Sequence, residues 1–434
     1  MHNKKLIRKF LVFTALLIAS VCTLEAQTTD ALGTYTPYSL FGVGDIDKSG
    51  TAFNKGMGGI GVGVRDNRFI NYTNPASITE RDTLSFMFDF GLNQKNVYSS
   101  DGKVKSAFNM ANMQNIVFTA PIYKKSALIA GVIPYSNVGY KFSSVETDNQ
   151  LVSKYGNITY QKYGVGSISQ LFVGGAMNIT KNFSIGAEFI YYFGSINRYS
   201  NVLFTSDASL RDINTGWDYG VSAVSGRAGI QYFGKIAKNT VLTIGATYRL
   251  ASNMDGDFTR YACTVSTSQI DTVKLTTTSG YKVEIPKEFS AGFSVKKKDK
   301  WMFGVDYISQ DWTKSFFGET PGVDFKPSVS SSIKLGVEFI PNRYDIRYYM
   351  KRVTYRVGAY YDKTYVNVNG NQVNAAGVTF GMSLPVFRWY NAITWSVDLG
   401  QRGSLENSMV RERYVQFNVN FNLHDMWFIK RRYN

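Results

Sequence analysis

The chain has few groups able to do covalent chemistry. Its 434 residues include 2 cysteines, 2 histidines and 9 prolines. His2 and Cys22 fall in a segment that reads as an export signal. Lys4, Lys5, Arg8 and Lys9 precede an apolar stretch, Phe10 to Val21, too short to span a bilayer. Leu24-Glu25-Ala26 supplies a cleavage site before Gln27. Lipidation at Cys22 is the weaker alternative, because Val21 is bulkier than such sites accept. Residues 1–26 are therefore assigned to a signal peptide. The rest of the chain keeps Cys263 and His424. One cysteine makes no internal disulfide. Neither a His/Cys zinc set nor a Ser-His-Asp triad can be assembled, unless His424 carries the triad. The expectation is a non-enzyme with no cofactor and no metal.

Long apolar runs are also missing. Nothing beyond the signal approaches the roughly 20 residues of a membrane helix. The formal net charge is +16, yet no basic run exceeds Lys296-Lys297-Lys298. Nucleic acid is not an expected partner of such an exported chain, whereas outer-membrane lipid head groups are.

Aromatics and glycine are abundant instead: 29 Tyr, 30 Phe and 39 Gly. They fall in a period of two. "YVQFNVNFNL" (414–423) sets Val415, Phe417, Val419, Phe421 and Leu423 against Tyr414, Gln416, Asn418, Asn420 and Asn422. "TLSFMFDFG" (83–91), "VLTIGATYRL" (241–250) and "AITWSVDLG" (392–400) alternate in the same way. Such alternation signals strands. About fourteen such segments run from 83–91 to 412–423. Short connections alternate with long ones, expected at 143–164, 251–284 and 314–329. Asp89, Glu188, Arg249, Asp306, Lys334, Glu338, Arg356 and Asp398 all fall on the polar faces. A dry core could not hold so many charges cheaply. The fold class is therefore an all-β, transmembrane antiparallel β-barrel of about 14 strands, its apolar faces toward lipid. Trp217, Trp301, Trp389, Tyr390 and Trp427 lie near predicted strand ends, as interfacial girdles do.

Residues 27–82 lack this alternation, and the barrel is assigned to 83–434 with a short C-terminal extension. Gly56-x-Gly58-x-x-Gly61 has the spacing of a dinucleotide-binding fingerprint. That chemistry needs a buried strand before it and a helix after it. Here "DIDKSGTAFNK" precedes it. The glycines are read instead as letting an N-terminal luminal plug, or hatch, turn and pack inside the barrel.

Phe53, Gly56, Met57, Gly58, Gly59 and Asp66, followed by Asn74-Pro75-Ala76, resemble the hatch of the long-chain fatty acid transporter (FadL/TodX) family. "IPYSNVGYKF" (133–142) is similar to that family's interrupted third strand. "IPKEFSAGFSVKKKDKWMFGVDYISQDW" (285–312) and "YRVGAYYDKTYV" (355–366) resemble later strands. "WFIKRRYN" is a departure, similar to the related shuttle barrels of type IX secretion. The resemblance implies an outer-membrane channel for passive uptake of hydrophobic compounds such as fatty acids. Gly56, Gly58, Gly59, Asn74, Pro75 and Ala76 would form the hatch. Pro134, Tyr135, Ser136, Asn137 and Gly139 would form a lateral opening. There Pro134 removes a ladder donor, and Asn137 and Gly139 favour a bulge. The alternative function is a partner barrel that docks secreted proteins or envelope assembly machinery without small-molecule transport. An acid-base role for Glu188 or Glu338, and a cation at the Asp255-Gly256-Asp257 loop, are weaker readings.

Overall fold

The computed structural model describes residues 33–81, 85–123, 125–204, 210–265, 270–315, 324–386, 391–407 and 409–426. The residues expected as a signal peptide, Trp389, Tyr390, Trp427 and the expected C-terminal extension lie outside them.

Fourteen antiparallel strands close a barrel. They are β1 (Ser85–Ser100), β2 (Lys105–Tyr123), β3 (Ser126–Val145), β4 (Ile158–Asn178) and β5 (Phe183–Phe204). β6 is Asp212–Ala237; β7 is Thr240–Arg249 continued by Ser252–Val265; β8 is Ile270–Ile285 continued by Glu288–Lys297. β9 is Trp301–Asp311, and β10 is Phe325–Pro327 continued by Val329–Phe339. β11 (Thr354–Val368), β12 (Asn371–Val386), β13 (Asn391–Arg402) and β14 (Arg411–Met426) complete the set. β14 pairs with β1 from Arg411↔Ser100 to Met426↔Ser85, which closes the ring.

The wall is inside-out relative to a soluble barrel. Phe189, Ile244, Phe303, Val337, Phe380, Trp395 and Phe421 are exposed. On the alternate, inward positions Glu188, Asp306, Glu338, Arg356 and Asn420 are buried. Alternation with apolar residues outward is what a bilayer demands of the outer surface and a polar interior of the lumen.

Several sequence expectations change toward the ends of the barrel. Of the segments expected as long loops, 251–284 is mostly strand, whereas 143–164 keeps a connection with a short helix, Asn149–Tyr155. Residues 252–265 and 270–285 extend β7 and β8, and β11 turns into β12 through Asn369 and Gly370 alone. β6 reaches 26 residues. Above the lipid both faces of a strand meet water, so no apolar alternation marks it. Asp255-Gly256-Asp257 accordingly lies in a strand, not in a loop. Trp217 is not a girdle residue: it packs on Phe258 with centroids 5.1 Å apart, and the Arg198 guanidinium stands 4.9 Å over its ring. Trp301 does sit, 40% exposed, at the start of β9. His424, expected beyond the last strand, is within β14, because pairing with β1 runs on to Met426.

Residues 33–81 run inside this ring. They include a 3-10 turn Pro37–Leu40, a single helical turn Ala52–Lys55 and a second 3-10 turn Pro75–Thr79. The helical turn comes before the glycines and Gly56 caps its C-terminus, the reverse of a dinucleotide site. Phe53, Met57, Ile60, Val64 and Phe69 form a buried cluster with Met302 of β9.

Candidate functional site

The luminal segment is seated on small residues of the wall. Gly304, Gly336 and Gly358 are directly opposite one another across β9, β10 and β11. A Cβ on Gly358 would stand 2.1 Å from the Gly58 nitrogen. Gly58 itself has φ +68, and its own Cβ would meet the carbonyl oxygens of Leu335 and Ala359 at 2.6 Å. Its amide donates to Thr379 Oγ1 (2.7 Å). Gly56 faces Gly381, and Gly59 faces the Lys334 side chain. Asp306 Oδ2 accepts the amides of Gly61 (2.6 Å) and Val62 (2.8 Å).

Asn74, Pro75 and Ala76 dock farther round the wall, on β5 and β6. Asn74 Oδ1 accepts the Ala76 amide (3.0 Å), and its Nδ2 donates to Val62 O (2.9 Å). The prolyl residue rests on Gly186 of β5 and Gly229 of β6, which are register partners. Side-chain Cβ atoms at either would collide with it.

Charge holds the lower part. Arg68 bridges Asp66 (2.5 Å) and Glu338 (2.5 Å), while Lys296 reaches Asp66 (2.8 Å) and Arg356 reaches Glu338 (3.0 Å). The Arg356 guanidinium also lies over the stacked rings of Phe53 and Phe69, at 4.6 and 4.9 Å. Each charge is therefore compensated where an isolated one would cost several kcal/mol.

The upper part meets a seam in the wall. β2 and β3 pair only from Tyr123↔Ser126 to Ile116↔Val132. Beyond that, β2 continues paired to β1 and β3 to β4. Among the described residues no ladder joins 105–115 to 133–145. The parting coincides with the proline: the β3–β4 register shifts between Pro134 and Ser136, leaving Tyr135 as a bulge. The luminal segment occupies the edge of β3 that β2 vacates. Asp45 pairs with Asn137 and Ile46 with Ser136. The Asp47 amide donates to Tyr135 O (2.9 Å), and that of Thr36 to Gly139 O (2.9 Å). Ser39 Oγ accepts the Gly139 amide (3.1 Å). Gly139 must be glycine for this approach, since a Cβ would stand 1.8 Å from Thr34 O.

Two cavities flank this strip. One of about 200 Å³ lies in the lumen against Tyr135, Arg227, Arg249, Asp306 and Tyr365. The other, about 210 Å³, opens at the seam between Met110 and Asn112 of β2 and Ile133 and Pro134 of β3. Asp45, Ile46, Asp47 and Lys48 line both, so these residues form the partition. Asp45 is held by Arg402 (2.8 Å) and Lys95 (3.6 Å), and Lys48 by Asp398 (3.0 Å) with the Tyr360 ring 3.3 Å away.

The proposed hatch residues thus lie in two seats, Gly56, Gly58 and Gly59 against β10–β12 and Asn74, Pro75 and Ala76 against β5 and β6, while the proposed opening residues lie at the seam. Sequence reasoning missed residues 34–48 as site residues, although they cover the edge of β3 at that seam. A bridge of two residues carries no period, and the one local sign was the glycine pair Gly42 and Gly44.

Comparison with known proteins places this geometry. The BamG family model matches residues 6–434. No curated protein matches the sequence. Similar solved structures include the toluene transporter TodX of P. putida: 15% identity, 88% of this chain and 100% of that one, TM-score 0.59. The Ralstonia pickettii toluene transporter TbuX gives 13%, 86% and 98%, with TM-score 0.56. A Pseudomonas aeruginosa FadL homologue gives 12%, 88% and 98%, with TM-score 0.54. At these identities the likeness is one of fold.

Proposed function

The chain belongs to the BamG family of outer-membrane barrels, and on that premise we propose that it passes hydrophobic small molecules of the fatty acid kind between its lumen and the membrane plane. Residues 33–81 act as its hatch, and the β2–β3 seam as its lateral exit. The observation that carries the reading is the exchange of partners at β3: above Val132 its edge is bonded to residues 36–47 of the same chain and not to β2. Two short bridges are easier to release than a full ladder, and their release would join the two cavities. An apolar ligand would then enter lipid without crossing water, which costs about 0.8 kcal/mol per CH₂. Catalysis has no part in this reading.

A disulfide tests it. Ile46→Cys with Ser136→Cys, in a Cys263→Ser background, ties the partition to β3. Liposomes holding the oxidised variant should take up a fluorescent fatty acid no faster than empty ones, and reduction should restore uptake. Equal uptake in both states would remove the lateral route.

A partner barrel is the second reading. The charged partition favours it, because Asp45, Asp47 and Lys48 interrupt any apolar path. In that case protein purified in mild detergent should carry a stoichiometric envelope protein and no fatty acid by mass spectrometry.

A further inference from the structure

Exposed cations mark the short turns at one end of the barrel. Lys125 in the β2–β3 turn, Lys181 in the β4–β5 turn, and Lys235 and Lys238 beside the β6–β7 turn are all exposed. So are Lys297, Lys298 and Lys300 at the β8–β9 turn. These turns belong to one end of the barrel. The acids there are already engaged. Asp299 accepts from Arg343 (2.7 Å) and Tyr344 Oη (3.0 Å), and Asp345 accepts the amides of Arg347 and Tyr348. At the opposite end exposed acids such as Asp101, Asp148, Asp271 and Asp324 are interspersed with exposed Lys103, Lys154, Lys274 and Lys326.

The same end carries an ordered excursion. Residues 340–353 join β10 to β11 where other described turns are much shorter. Its ends are tied by Asn342 N to Lys351 O (2.8 Å), and Tyr349 Oη reaches Pro385 O (2.9 Å). It presents Ile346 at 96% exposure, with Tyr348 and Met350 exposed beside Arg347.

We propose that this end binds the anionic head groups of the phospholipid leaflet around it. The lysines take the phosphates, and Tyr348, Ile346 and Met350 enter the head-group layer. The outward apolar band ends at these turns, so their side chains stand at head-group depth, and lysine stems can lie along acyl chains with the ammonium in the interface. Trp301 and Tyr348 suit the same layer. Each lysine near an anionic surface adds attraction. The distribution separates lipid from an acidic protein. Such a protein would call for charge on one side, whereas every described short turn of this end carries a cation, as a leaflet surrounding the barrel requires.

The test compares the wild-type chain with Lys297→Gln/Lys298→Gln/Lys300→Gln, both in nanodiscs of phosphatidylcholine and brominated phosphatidylglycerol. With Trp389, Trp395 and Trp427 replaced by Phe in both, tryptophan quenching then reports the lipid beside Trp301. Wild type should favour phosphatidylglycerol by about threefold or more at low salt. The preference should fall toward parity in the variant and at about 0.5 M salt, where charges are screened within a few ångströms. Retention of the folded, heat-modifiable gel mobility checks the barrel. Parity in the wild type, or a preference that the three substitutions leave unchanged, overturns the proposal.

Discussion

A glycine is needed in two distinct ways at Gly58 and Gly139. Gly58 holds a left-handed φ of +68 and lies against wall backbone. Alanine there would cost about 1–2 kcal/mol for the backbone alone, before the contacts with Leu335 and Ala359. Gly58→Ala should therefore lower the thermal midpoint of the folded barrel and expose Arg65 and Arg68 to trypsin. Gly220→Ala, with open space at its Cβ and no positive φ, should stay within about 0.5 kcal/mol. Gly139→Val acts by bulk against Thr34. It should abolish hydrogen-exchange protection at the Thr36 and Asp47 amides while sparing that of β3's pairing with β4. Protection that survives would mean the strip is held by its ion pairs and not by β3.

At the scale of elements, the ion-pair seat should dominate the hold on the lower luminal segment. Arg68→Ala leaves Asp66 and Glu338 each short of a partner, and losing one member of a buried pair costs about 3–5 kcal/mol. Lysine should recover part of this but not the fork that meets both carboxylates. Limited proteolysis between Phe53 and Glu80, read against an intact barrel, measures it. Legibility in the sequence also divides by element. Strands crossing lipid were readable nearly to their ends, as 414–423 within Arg411–Met426, because two solvents pull their faces apart. The extensions at 252–265 and 270–285 were not, since water bathes both faces. Asn74-Pro75-Ala76 stood out as a motif, but its seat on Gly186 and Gly229 could not, because nothing local marks a glycine as a partner of a distant proline.

For the whole molecule, the proposed hatch role makes the luminal segment the part that decides whether the barrel is a pore. Its contacts with inward side chains on both walls leave separated cavities of about 200 and 210 Å³. Deleting residues 27–80 should raise single-channel conductance in planar bilayers severalfold; unchanged conductance would mean the wall itself blocks the lumen. The seam bears on assembly as well. Thr36 hydrogen-bonds Glu412 across 376 positions of sequence, and the edge of β3 is completed by residues that precede β1. The portion of chain that is made first thus settles late, since part of its seat, Glu412 and Asn420 of β14, is made last. Contacts this distant in sequence form slowly. Until they form, both edges of the seam, β2 over 105–115 and β3 above Val132, are bare, and that interval is when a chaperone or a neighbouring strand would find them.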